Sequence, residues 1–360
     1  MIDIAADALR ALRLLALCLA FASVQVLAAG AGDRVRVGSL DLGPGERGSA
    51  ELMVAAAGED GHTRVPVTVV HGARPGPTLA LVAGVHGYEY PGILALQALR
   101  RELDPARLAG TVIMVHVANL PSFLGRTIYT SPVDGVNLNR AFPGDPEGTV
   151  SQRIAHLITT EVIDQADFLI DLHAGDGNED LRPYVYMPVT GAVAFDAAAR
   201  GLALAFGLDT IVIDRVTVSA PEDSQLVDMT AWARGIPAIT TETGSMGSSG
   251  AADVGLALDG LRNVLRHLDM IDGEAVVDDA VVWLEDYEVV PAPVTGVFVA
   301  AVRSGWSVAA GGRLGVIHDF FGDPVAEVRA PFAGVVNYVI GTPPIRVGEP
   351  VAMVSRVADE

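Results

Sequence analysis

Two histidines and a glutamate stand where a hydrolytic metal centre would need them. His86 and Glu89 lie three apart in HGYEYPG, and His173 sits in DLHAG. Two His and one carboxylate with a fourth position open make up the donor set of a catalytic zinc ion. Asp171, two residues before His173, would face the same side of a strand and serve as an acceptor behind that imidazole. Glu242, in TTETG, is the candidate catalytic acid/base, since a carboxylate there can take a proton from water and pass it to a leaving nitrogen. Asn139 and Arg140, in VNLNRAFPG, are candidate substrate-binding residues, because a guanidinium grips a carboxylate at two points. Arg126, in a loop, is a candidate for polarising a scissile carbonyl. The other histidines (His62, His71, His116, His156, His267 and His318) have no comparable setting and read as structural or surface residues.

These residues need a scaffold that delivers them to one edge. Thr78–Val85 is a continuous apolar run, as expected of a strand buried on both faces. His86 follows it directly. Val112–Ala118 reads as a second strand leading to Asn119, Phe168–Leu172 as a third leading to His173, and Ala238–Thr241 as a later one leading to Glu242. Ile211–Ile213 supplies another. Helices are expected from Pro91 to Arg101, from Gln152 to Ile163 and from Leu256 to Leu268, with proline favouring the first turn of the first. The alternation predicts an α/β fold, a mostly parallel sheet with helices on both faces. Ligands of such sheets bind at the carboxyl ends of the strands. The turn-rich stretch from Asp33 to Val70 predicts short strands.

After the acidic stretch Asp278–Glu288 the sequence becomes β-rich and repeats itself. Ala292-Pro293-x-x-Gly296-Val297 recurs as Ala330-Pro331-x-x-Gly334-Val335, and Val308-x-x-Gly311-x-x-Leu314 is echoed by Ile345-x-x-Gly348-x-x-Val351. Two like halves predict a small pseudo-symmetric β module. It is similar to the biotinyl/lipoyl-type barrel-sandwich. The hairpin that would carry the acceptor lysine is Asp319-Phe320-Phe321-Gly322-Asp323, so covalent biotin or lipoate is excluded. The expected organisation is a leader over residues 1–31, a catalytic domain over 33–275 and the β module over 285–360.

Composition narrows the partners. The net charge of −20 opposes binding to nucleic acid, whose phosphates need basic surface. All 24 basic residues are arginine, which removes Schiff-base chemistry. Arg10 and Arg13 precede an apolar run from Leu14 to about Ala29, and Val26-Leu27-Ala28 or Ala29-Gly30-Ala31 would suit a signal peptidase. A periplasmic or secreted location is expected, with the cytoplasm as the alternative. Cys18, the sole cysteine, falls in this leader, so thiolate ligands and disulfides are absent from the mature chain. A homo-oligomer is compatible with the sequence.

The motifs GVHGYEYPG, NLNRAFPG, DLHAG and TETG, in that order, resemble the succinylglutamate desuccinylase/aspartoacylase family, a branch of the zinc carboxypeptidase-like hydrolases. The resemblance runs from about Gly43 to the C-terminus. It implies one Zn2+ per chain on His86, Glu89 and His173, a substrate carboxylate on Asn139 and Arg140, and Glu242 as acid/base. Asn137 departs from it, since some relatives carry Asp in Asp-Leu-Asn-Arg, and so does the leader. The expected reaction is deacylation of a small N-acyl amino acid. A metallocarboxypeptidase acting on short or cell-wall peptides would use the same residues. A non-catalytic binding or sensing protein would have no use for Glu242.

Overall fold

The structure is a computed structural model and describes residues 34–57, 60–277 and 280–358, so the expected leader and Cys18 lie outside the described residues. Strands β1 (Val35–Val37) and β2 (Leu40–Leu42) form a small ribbon. β3 (Glu46–Val54) and β4 (Thr63–His71) follow as an antiparallel pair of nine-residue strands, longer than the turn-rich sequence predicts. β4 is backed over Val67–His71 by β6 of the main sheet, and Val65, Val67 and Val69 are buried.

The chain then alternates. It runs β5 (Arg74–Ala83), α1 (Tyr90–Glu102), β6 (Ala109–Val115), α2 (Leu120–Gly125), α3 (Val150–Glu161) and β7 (Phe168–His173). Next come β8 (Glu179–Leu181), β9 (Tyr184–Val189), α4 (Val193–Phe206), β10 (Thr210–Arg215), α5 (Val227–Trp232), β11 (Ala238–Glu242) and α6 (Ala251–His267). Across the sheet the order is β3-β4-β6-β5-β7-β11-β9-β10. β6, β5, β7 and β11 are mutually parallel, but β3 and β4 run against their neighbours on one side, and β9 opposes β11 on the other. The sheet is therefore mixed rather than mostly parallel. Part of the reason is connection length. Residues 174–183 between β7 and β9 hold only the short β8, and a parallel return needs a crossover of a dozen or more residues. The chain turns at the top of β7 and comes back down.

Helices cover both faces, as expected. Side chains of β5 alternate, with Leu79, Leu81 and Ala83 packing under α1, α4 and α6, and Ala80 and Val82 packing under α3 and α5. Each fully buried leucine of this kind contributes roughly 1.5–3 kcal/mol. Local signals set the helix starts: Pro91 opens α1, and Thr149 with Gln152 closes a capping box at α3.

The C-terminal β-rich module consists of β12 (Val282–Pro291), β13 (Gly296–Ala300), β14 (Ser307–Val308), β15 (Arg313–His318), β16 (Pro324–Arg329), β17 (Gly334–Ile340), β18 (Pro344–Ile345) and β19 (Pro350–Val357). The sequence repeat maps onto β13–β15 and β17–β19. The halves interlock: β13 pairs with β18 and β14 with β17, while β12 pairs with β19 and β16 with β15. β12 also pairs in parallel with β10, so the main sheet runs on into the module without a break.

Candidate active site

The two central strands end on the residues that matter. His173 and Glu242 are the last residues of β7 and β11 and stand in register with each other, and Asp171 pairs with Thr240 two positions earlier. Period-two alternation puts all four on one face. His86 and Glu89 come from the turn between β5 and α1, where Glu89 is the N-cap residue. The glycine after His86 is demanded by packing, since a Cβ on Gly87 would meet the carbonyl oxygens of Thr127 and Ser122 at 2.4 and 2.5 Å.

His86, Glu89 and His173 converge. Glu89 Oε1 lies 2.7 Å from His86 Nδ1, and Glu89 Oε2 lies 2.9 Å from His173 Nδ1. One ligand atom from each residue falls within 4.8 Å of the others. The opposite ring nitrogens are already committed. His173 Nε2 donates to Asp171 Oδ2 at 2.9 Å, and His86 Nε2 donates to Asn137 Oδ1 at 3.1 Å. The backbone N–H of Asn139 also donates to Asn137 Oδ1, which fixes that amide with its oxygen inward. Asparagine thus supplies the acceptor that an aspartate would. With both Nε2 atoms protonated, two Nδ1 lone pairs and a carboxylate point at one spot, a donor set that fits a divalent cation such as zinc. Without an ion the neighbouring carboxylates favour the charged rings, whose Nδ1 protons a divalent cation would displace. Burial opposes charge on His173, but Asp171 and Glu89 more than offset it and raise its pKa well above the usual value. At His86 burial is likewise outweighed by Glu89. Burial also works against ionised Glu89, yet the two imidazoles hold its pKa down.

Glu242 faces this cluster from the neighbouring strand, and its Oε2 is buried without a hydrogen-bond partner. Burial raises its pKa well above normal, with Glu89, Glu179 and Asp171 adding to the push and His173 opposing it. A carboxyl group shifted this way holds and releases a proton nearer neutral pH.

The remaining sequence candidates fall around the cluster. Asn139 is buried, with Nδ2 3.4 Å from His173 Nε2 and Oδ1 accepting from the Val227 N–H, so it also braces the start of α5. Arg140 is exposed at the end of the same turn and donates to the Asn139 carbonyl. Arg126 caps the C-terminus of α2 in the left-handed conformation (φ 51°), its side chain exposed, and Asn119 caps the other end of that helix.

Other groups had gone unremarked in the sequence. Asp176 is fully buried beyond DLHAG, and burial together with Glu89 pushes its pKa up to about 6. It accepts from the Tyr129 N–H, and the Tyr129 hydroxyl donates to Glu179 at 2.8 Å while its ring stands edge-on to His86. Burial pushes Glu179 up to about 7. A row of tyrosines forms the far wall. Tyr184 and Tyr186 come from β9, with their hydroxyls 3.2 Å apart, and the ring of Tyr287 from β12 packs 5.8 Å from that of Tyr186. Tyr338 and Met353 of the module join them, and the Tyr186 hydroxyl donates to the Met353 sulfur at 3.1 Å. Partial burial and the carboxylates of Asp214 and Asp228 push the Tyr287 phenol up to about 12 against the pull of Arg140. The i, i+2 spacing of Tyr184 and Tyr186 just past DLHAG was the one signal available; nothing local marks Tyr287 or Tyr338.

Comparison with known proteins places the chain in a family. Residues 75–268 match the family model of the succinylglutamate desuccinylase/aspartoacylase catalytic domain. The N-alpha-acetyl-L-2,4-diaminobutyric acid deacetylase of Halomonas elongata is 32% identical over 306 residues, covering 83% of this chain and 87% of that protein. The crystal structure of a succinylglutamate desuccinylase/aspartoacylase from Rhodobacter sphaeroides superposes with a TM-score of 0.78 at 29% identity, covering 90% of this chain and all of that one (100%). The product-bound ectoine utilization protein of Ruegeria pomeroyi gives a TM-score of 0.76 at 31% identity over 86% of this chain and 95% of that one. Fold and site define a hydrolase of the deacylase type. The chain belongs to the succinylglutamate desuccinylase/aspartoacylase family.

Proposed function

We propose that the protein is a zinc-dependent deacylase that hydrolyses the amide bond of a small N-acyl amino acid. The observation that carries this reading is the convergence of His86, Glu89 and His173 beside a carboxyl group, Glu242, whose buried oxygen has no partner. The relatives support the substrate class, one of them being named for removing an acetyl group from an amino acid. His86, Glu89 and His173 would hold the ion, with Asp171 and Asn137 fixing the two rings. Zinc, when bound, supplies Lewis acidity for water and for the acyl carbonyl. Glu242 takes a proton from the attacking water and delivers it to the leaving nitrogen, so that a carboxylate and a free amine leave. Arg140, with Asn139, grips the carboxylate of the amino acid, and Arg126 is assigned to the carbonyl oxygen.

Metal analysis of the purified protein should find about one zinc per chain, and a panel of N-acetyl, N-succinyl and N-formyl amino acids should contain a substrate. Chelation should abolish turnover and zinc should restore it. Activity untouched by complete metal removal would end this reading.

The β module is assigned a barrel-sandwich of biotinyl/lipoyl shape without carrier function, joined to the catalytic domain between about residues 275 and 285. The protein is assigned to the periplasm or the exterior, on the strength of the apolar segment after Arg13. Edman sequencing of mature protein should start near residues 29–32; intact Met1 on soluble cytosolic protein would refute the assignment.

A further inference from the structure

Between the last turns of α1 and strands β3 and β4 lies a cavity of about 390 Å3. It is remote from the metal donors, since Arg100 in its wall stands roughly 16 Å along α1 from Glu89. Ala50, Pro66 and Val117 give the cavity an apolar wall, and Arg100 and Arg101 give it charge. Arg100 Nε donates to Ser49 Oγ at 3.1 Å and to Thr68 Oγ1 at 3.2 Å, which fixes the plane of the guanidinium. Thr68 is fully buried and its hydroxyl continues to His116 Nε2 at 2.8 Å. Among the described residues, the two terminal nitrogens of Arg100 make no hydrogen bond, and neither Arg100 nor Arg101 has a carboxylate partner. Two acids beside them are committed elsewhere, Glu51 to Arg64 at 2.8 Å and Glu102 to Arg262 at 2.6 Å. His116 lines the same cavity, is 8% exposed, and its Nδ1 is buried with no hydrogen-bond partner. A buried polar atom left over in this way marks a place where a water or a ligand belongs. Burial and the charge of Arg100 push the His116 pKa down to about 4, so the ring adds hydrogen-bonding capacity there but no charge near neutral pH.

We propose that this cavity is a second binding site, for a small carboxylate with an apolar body, its charge on Arg100 and Arg101 and its hydrocarbon against Ala50, Pro66 and Val117. The site is separate from the catalytic pocket and independent of the deacylase reading. A guanidinium whose Nε is already anchored presents its two terminal nitrogens as a preset fork, and that fork matches the two oxygens of a carboxylate. The chain has 44 acidic residues against 24 basic ones, yet it supplies no carboxylate here. An external anion takes that place. The apolar wall favours a ligand with carbon to bury over bare phosphate, as in small-molecule pockets generally, where a few polar groups orient a largely apolar ligand.

The test is isothermal titration calorimetry on the zinc-loaded full chain, with benzoate and 3-methylbutanoate as probes and benzamide and inorganic phosphate as controls. A carboxylate also suits the catalytic pocket, so variants assign the binding to one site or the other. Arg100→Gln should weaken it by ~10- to 150-fold, and Arg140→Gln should leave it in place. Arg100→Lys, which keeps the charge without the fork, should fall between the native protein and Arg100→Gln. Arg101→Gln, at an exposed position, should weaken binding in the same direction with little risk to the fold, and unchanged thermal midpoints and zinc content show that each variant is intact. Absence of binding to the native chain, binding unchanged in both Arg100→Gln and Arg101→Gln, or benzamide bound as tightly as benzoate would overturn the proposal. Phosphate bound more tightly than either carboxylate would overturn the assigned class of ligand.

Discussion

Glu242→Gln is expected to lower turnover by roughly 10²–10⁴ while leaving bound metal unchanged. The substitution keeps the shape of a side chain whose Oε2 has no hydrogen-bond partner, and it removes only the capacity to accept and return a proton. No metal donor is touched, because Glu242 contributes nothing to the His86, Glu89 and His173 group. The pH profile gives a second readout. Burial and the carboxylates around Glu242 raise its pKa above that of an ordinary glutamate, so it loses its proton, and becomes a base, only as pH rises through that raised value. The acid limb of activity should therefore lie above the usual carboxylate range in the native protein and vanish from the residual activity of Glu242→Gln. Near-normal turnover in the variant would assign the proton transfers to another group.

Arg140→Lys should divide substrates by charge. The ammonium keeps the positive charge but lacks the planar fork that meets two carboxylate oxygens at once. A hydrogen bond to a charged group is worth ~1.5–3 kcal/mol, so kcat/KM for an N-acyl amino acid should fall by ~10- to 150-fold. The matching amide or methyl ester, which lacks the charge, should lose little. Metal content should hold, since Arg140 is exposed and donates to the Asn139 carbonyl rather than to any metal donor. Equal losses on charged and neutral substrates would move Arg140 to the scissile carbonyl or to folding, and leave Arg126 to be tested as the carboxylate grip.

Much of this site was legible because strands announce their ends. His173 follows the largely apolar run Phe168–Leu172 and Glu242 the β-branched stretch Ile239–Thr241, both of which read as strands, and Asp171 follows from period-two alternation once β7 is placed. Strand direction was not legible. A strand buried on both faces reads the same whichever way its neighbours run, so the reversal at β9 left no trace in its composition. The Tyr184–Val189 strand itself was masked by Pro188, and the six-residue α5 is too short to display a helical period. Asn137 looked like a departure from the family pattern, yet its side-chain oxygen can accept from His86 as a carboxylate would. Tyr287 and Tyr338 were out of reach for another reason: they join Tyr184 and Tyr186, about a hundred or more residues earlier in the chain, and the pairings of β12 with β10 and of β17 with β8 bring them there.

That wall has a consequence for the order in which a ribosome makes the enzyme. The donors His86, Glu89 and His173 and the base Glu242 all emerge before any strand of the module. Tyr287 follows on β12, a strand whose outer edge is held by β19, the last strand of the module. A nascent or prematurely stopped chain therefore contains every one of these groups before the tyrosine wall beside them is complete.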